Sequence, residues 1–127
     1  MKIIIARHGQ TNESAGNINS GQESEVLLNE EGKNQANKLA DFLKKEKITF
    51  AYVSPQKRAI DTAEEILKHH PEAKVVSSHY LKEQHLGVLE GKKEEWKNLK
   101  KESKGPFHLI KPEGGEYYHE VQKRARD

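Results

Sequence analysis

The sequence contains no cysteine, so no disulfide and no thiolate metal site can hold it together. Aromatic residues are few: one tryptophan, three phenylalanines and four tyrosines in 127 residues. No apolar run approaches the roughly 20 residues that span a bilayer, and Ile3-Ile4-Ile5-Ala6 is too short for the core of a signal peptide. Neither charge sign dominates, since 22 basic residues face 20 acidic ones and both are dispersed along the chain. That balance lacks the basic footprint of a nucleic-acid surface. The resulting expectation is a cytoplasmic protein with neither a membrane nor a nucleic-acid partner, in which the Asn12-Glu13-Ser14 sequon carries no glycan. Apolar content is also low. A hydrophobic fraction of 33% and a mean hydropathy of −0.98 are lean for an α/β domain whose sheet must be covered on both faces. No repeat or linker divides the chain, so residues 1–127 are expected to form one domain.

What is present is concentrated at the start. Lys2-Ile3-Ile4-Ile5-Ala6 is a β-branched run that reads as a buried strand, and it ends in Arg7-His8-Gly9-Gln10-Thr11. Ligands of open α/β sheets bind at the carboxyl ends of strands. A neutral imidazole delivered there is a competent nucleophile, and the planar fork of Arg7 matches phosphate oxygens. Gly9 would let backbone amides approach an anion closely. Arginine is rare, only four of the 22 basic residues, so Arg7 and Arg58 stand out as candidates for bidentate recognition.

Alternating signals follow. Residues 12–28 read as a loop with one helical turn. A helix is expected over about 29–45, with Asn29 as N-cap and Ala36, Leu39, Ala40 and Leu43 as its apolar stripe. Phe50-Ala51-Tyr52-Val53 and Lys74-Val75-Val76-Ser77 read as strands. The helix between them is expected to start with Ser54 as N-cap and Pro55 at its first position, which places Arg58 in the first turn. Residues 92–104 form a lysine-rich, weakly amphipathic helix anchored only by Trp96 and Leu99, expected to be a lid or flank. A last helix carries Tyr118, Val121 and Ala125. His69-His70 diverge on their helix and lack partners for a metal site, and His79 precedes the Glu83 segment.

Three segments together resemble the histidine phosphatase superfamily, which includes the cofactor-dependent phosphoglycerate mutases. They are Arg7-His8-Gly9-Gln10-Thr11, then Ser54-Pro55-Gln56-Lys57-Arg58-Ala59, then Leu81-Lys82-Glu83 continuing to Gly87-Val88-Leu89-Glu90-Gly91. The resemblance implies an α/β three-layer sandwich with a mostly parallel sheet. It implies catalytic roles for His8 as nucleophile and Glu83 as proton donor, with no metal or cofactor. It also implies phosphate contacts from Arg7 and Arg58. Ser14 stands where the family has an asparagine, and Asn17, Gly21 and Gln22 complete the expected substrate-binding set. The segment Pro112-Glu113-Gly114-Gly115-Glu116 followed by Arg124 is similar to the one that precedes the family's last active-site strand, where a second histidine lies. That strand and that histidine are not in this sequence. The sheet is therefore expected to be incomplete, with further chain or a partner, by dimerisation or strand swapping, supplying the rest.

The activity implied is hydrolysis of a phosphorylated small molecule through phosphohistidine, weak or absent in these 127 residues alone. Phosphoglycerate mutase is the runner-up. The short spacing from Glu83 to Glu113, and Leu86 where those mutases have tyrosine, favour the hydrolase. A phosphate-binding module without turnover is the rival from another class.

Overall fold

A computed structural model describes residues 1–22, 25–103 and 105–126. The elements run α1 (Asn12–Ala15), α2 (Glu30–Leu43), β1 (Phe50–Val53), α3 (Lys57–Leu67), β2 (Lys74–Ser77), α4 (Lys93–Glu102) and α5 (Tyr118–Arg124), with short 3-10 turns at His79–Leu81, Gly87–Leu89 and Phe107–Leu109. Strands β1 and β2 pair in parallel, Phe50 opposite Lys74 and Val53 opposite Ser77, with α3 as the crossover that parallel pairing requires. The architecture is mixed α/β with a small parallel sheet. No helix among the described residues is long and apolar enough to cross a membrane.

Local chemistry explains the helices. The Asn29 side chain accepts the Gly32 N–H at 2.8 Å, and Glu30 and Glu31 occupy the first turn of α2, where carboxylates suit the helix dipole. The expected stripe turns inward: Ala40 and Leu43 pack on Ile66 of α3, with Leu39 and Ile48 at the margin. A second cluster joins Leu86 and Leu89 to Trp96 of α4. With its tryptophan only 4% exposed, α4 is a packed element as well as a flank. Lys104, the end of the expected helix, lies outside the described residues.

Two expectations are corrected. Helix α3 begins at Lys57 with Gln56 at the N-cap, two residues after the Ser54-Pro55 start that composition favoured. The Gln56 side chain makes no cap bond; its amide instead donates to the Gly21 carbonyl at 2.6 Å, and its oxygen accepts the Glu83 N–H at 2.9 Å. These long-range partners fix Gln56 in extended backbone and postpone the helix.

The opening run is not a strand of the sheet either. Among the described residues, 2–8 make no main-chain hydrogen bond, and Ile3, Ile4 and Ile5 are 70%, 40% and 92% exposed. A strand exists only through a ladder partner. The two-stranded sheet provides none for this segment, so a run of the right composition stays unpaired.

Candidate active site

The chain becomes anchored where the unpaired run ends. The Gly9 N–H donates to Thr62 Oγ1 at 3.0 Å, and that hydroxyl donates to the Arg58 carbonyl at 2.8 Å, so residue 9 is fastened to the first turns of α3. On its other side Gly9 touches α2. A Cβ there would lie 2.4 Å from the Gly32 carbonyl oxygen, closer than any real contact. Glycine is needed at this position for packing on α2, and its amide is engaged by Thr62 instead of facing an anion.

His8 is half-buried beside this anchor. Its Nδ1 lies 2.7 Å from the Gly9 carbonyl oxygen. A carbonyl can only accept, so Nδ1 carries the hydrogen and Nε2 keeps its lone pair, the state a nucleophile needs. Burial lowers the imidazole from its ordinary value; the Gly9 hydrogen bond opposes this, while Arg58 and Arg7 reinforce it.

A cavity of about 410 Å³ opens over this ring, in the size range of small-molecule sites. It is lined by Arg7, His8, Arg58 and Glu83, which come from three separate stretches of sequence and converge on one space. Arg7 is exposed and forms no hydrogen bond or ion pair with the described residues. Arg58 is 3% exposed. Its Nη2 reaches only distant carbonyls, those of Ser20 at 3.4 Å and Gly21 at 3.3 Å, and its buried Nη1 has no partner among the described residues. Burial depresses its pKa, opposed by Glu83, Glu90 and Glu13; guanidinium nevertheless remains charged at ordinary pH.

The remaining expected residues divide. Ser14 and Asn17 line the cavity. The Ser14 hydroxyl, however, belongs to the cap of α1: it accepts the Thr11 N–H at 2.9 Å and donates to the Thr11 carbonyl at 3.0 Å. Asn17 sits at φ +54°, a left-handed conformation that asparagine tolerates. Gly21 and Gln22 do not line the cavity; they form the frame behind it. The Glu90 carboxylate accepts the N–H groups of Gly21 at 2.6 Å, Gln22 at 3.0 Å and Leu86 at 3.1 Å. The Gln22 amide donates to the Glu83 carbonyl at 2.7 Å. His79 is exposed and away from the cavity lining.

Sequence reasoning missed Gln56, Thr62 and Glu90 as frame residues. It also missed Trp96, Lys100 and Tyr118 as cavity walls, where the Lys100 ammonium stands 5.3 Å from the Trp96 ring centroid. The (i, i+4) spacing of Trp96 and Lys100 on one helix face was the available signal. Among the described residues no three histidine or carboxylate side chains converge as a metal site.

The family model for the histidine phosphatase superfamily (branch 1) matches residues 3–127. The chain belongs to this superfamily. Among relatives, a "metal-independent phosphoserine phosphatase" of Arabidopsis thaliana is 37% identical over 136 residues, covering 99% of this chain and 56% of its own length. The "probable fructose-2,6-bisphosphatase TIGAR A" of Danio rerio is 30% identical over 129 residues, covering 98% and 50%. Among solved structures, a mycobacterial glucosyl-3-phosphoglycerate phosphatase in complex with inorganic phosphate superimposes with a TM-score of 0.74 at 28% identity, over 94% of this chain and 56% of that one. This histidine phosphatase chain thus spans about half the length of the curated relatives it matches.

Proposed function

We propose that the protein is a phosphomonoester hydrolase that works through a phosphohistidine on His8. The observation that carries the reading is the buried Arg58 with an unpartnered Nη1 on the wall of the cavity that holds the His8 ring. A buried cation left with an unmet donor is costly unless an anion completes it, and a phosphoryl group supplies charge and acceptor together. Arg7, unengaged at the cavity's edge, is the second clamp, and the family supports phosphate as the ligand.

In the first half-reaction Nε2 of His8 attacks phosphorus, the bond from phosphorus to the ester oxygen breaks, and the proton on Glu83 passes to the departing oxygen. In the second, water attacks the phosphohistidine, Glu83 takes its proton, and phosphate leaves. Arg7 and Arg58 neutralise the equatorial oxygens as charge redistributes in the transition state. No step of this scheme calls for a metal or cofactor.

The unpaired edge at residues 2–6 supports a further reading of assembly. We propose that this segment joins the sheet when another strand, from more of the protein or from a second copy, lies against it.

The test compares wild-type protein with His8→Ala on p-nitrophenyl phosphate, alongside phosphate titrations of wild type and Arg58→Ala. Turnover should vanish with the imidazole. Phosphate affinity should fall about tenfold to a hundredfold without Arg58, the weight of a charge-assisted hydrogen bond. Equal release by wild type and His8→Ala, with phosphate still bound, would turn the reading into a binding module.

A further inference from the structure

The Glu83 side chain reaches the cavity from a stretch without regular secondary structure, so something other than a helix or strand must hold its main chain. The peptide groups around it are gripped from three directions. Gln56 takes the Glu83 N–H at 2.9 Å. The Glu83 carbonyl accepts from Gln22 at 2.7 Å and from Nη2 of Arg124 at 2.7 Å. Arg124, from α5, also donates through Nη1 to the Tyr80 carbonyl at 2.9 Å and through Nε to Glu116 Oε1 at 3.1 Å. One guanidinium thus straddles the two ends of the 80–83 segment while it is itself aimed by a carboxylate.

Glu116 does more than aim it. Its Oε2 accepts the His85 N–H at 2.8 Å and the Gln22 amide at 3.1 Å, so the same carboxylate grips the chain on the far side of Glu83. Its own N–H donates to the His85 carbonyl at 2.8 Å. Burial raises the Glu116 carboxyl pKa; the Arg124 and His85 hydrogen bonds outweigh it, and the group titrates below the usual range. Both side chains are largely shielded from water, at 16% and 24% exposure, so the pair is screened less than a surface ion pair.

We propose that Arg124 and Glu116 are positioning residues for Glu83: they hold the backbone of residues 80–85 so that the carboxyl meets the departing oxygen. This rests on the hydrolase reading above, and it assigns the pair no contact with substrate. The planar fork is what the task requires, because three donors must reach two carbonyls and a carboxylate at fixed angles, which an ammonium cannot do.

The experiment uses the full-length protein as wild type, Arg124→Ala, Arg124→Lys and Glu83→Gln, with His8→Ala as the catalytic blank. Two substrates separate acid catalysis from everything else: ethyl phosphate, whose leaving group needs a proton, and 2,4-dinitrophenyl phosphate, whose leaving group does not. Glu83→Gln sets the benchmark pattern. Arg124→Ala should lower kcat for ethyl phosphate about tenfold or more, part of what a general acid contributes, and alter the dinitrophenyl ester less than about threefold. Arg124→Lys should stay nearer to Arg124→Ala than to wild type.

Amide hydrogen exchange supplies a readout independent of turnover. Protection at Glu83 and His85 should fall about tenfold in Arg124→Ala while α2 keeps its own. Equal losses on both esters, or unchanged protection at 83 and 85, would overturn the proposal. Should wild type and His8→Ala turn over alike, the hydrolase reading fails by itself, and the exchange result still decides whether Arg124 holds the Glu83 segment.

Discussion

His8 is where burial, neighbouring charge and backbone chemistry act on one ring. Desolvation lowers its pKa from the ordinary 6.5, against the Gly9 hydrogen bond and with the help of Arg58 and Arg7. NMR titration of the free protein should therefore give a midpoint below 6.5, and added phosphate should raise it, because a dianion favours the imidazolium. A midpoint at or above 6.5 without phosphate would contradict the site as described. The sign for stability follows. Between the folded and unfolded values the unfolded chain binds more protons, so His8 costs stability as pH falls through that window. That Arg7, His8, Arg58 and Glu83 would share one cavity was legible because their neighbours in sequence form a recognisable pattern. Thr62, Gln56 and Glu90 were not, because each acts on main-chain groups distant in sequence, and no spacing rule marks a side chain whose partner is a remote peptide.

Among the elements, α2 followed its sequence closely, since cap, first-turn acids and stripe all pointed to the same residues. Its one oddity is Gly32, within the first turn. Helix propensity favours alanine there by up to about 1 kcal/mol. Packing opposes it: a Cβ would stand 2.0 Å from the Gln10 carbonyl oxygen and 2.8 Å from its nitrogen, both main-chain atoms that cannot swing aside. Packing wins. Gly32→Ala should destabilise by more than about 1 kcal/mol in urea unfolding, in the range of overpacked sites, and should weaken phosphate binding because residues 9–11 carry the strain. A stabilised Gly32→Ala would mean that the contact between residue 10 and α2 is looser than described. The start of α3 was misplaced for a related reason. Ser54-Pro55 satisfies the local rules for a cap, and the outcome was decided by Gln56 bridging Gly21 and Glu83.

For the molecule as a whole, the low apolar content was an early sign that the two-stranded sheet buries little. The parallel pairing of β1 and β2 was what the family resemblance implied, and the two strands themselves were readable from composition. The fate of the first run was not, because whether a β-branched segment becomes a strand depends on a partner that the segment itself does not encode. Ile5, 92% exposed, provides the check. In this chain Ile5→Lys should change unfolding free energy by less than about 0.5 kcal/mol, as surface substitutions do. If sedimentation shows wild type self-associating through this edge, the same substitution should abolish it, since a lysine on an open edge opposes pairing. A loss of several kcal/mol in the monomer would place Ile5 in a core. The Glu90 carboxylate has a consequence of another kind. By gathering the amides of Gly21, Gln22 and Leu86 it ties the segment behind Arg58 to the stretch that carries Glu83, so neither moves without breaking a hydrogen bond to a carboxylate. Trp96 of α4, packed on Leu86 and Leu89, and Lys100 also line the cavity, so under the hydrolase reading α4 is the wall where room for a bulkier alcohol would be set.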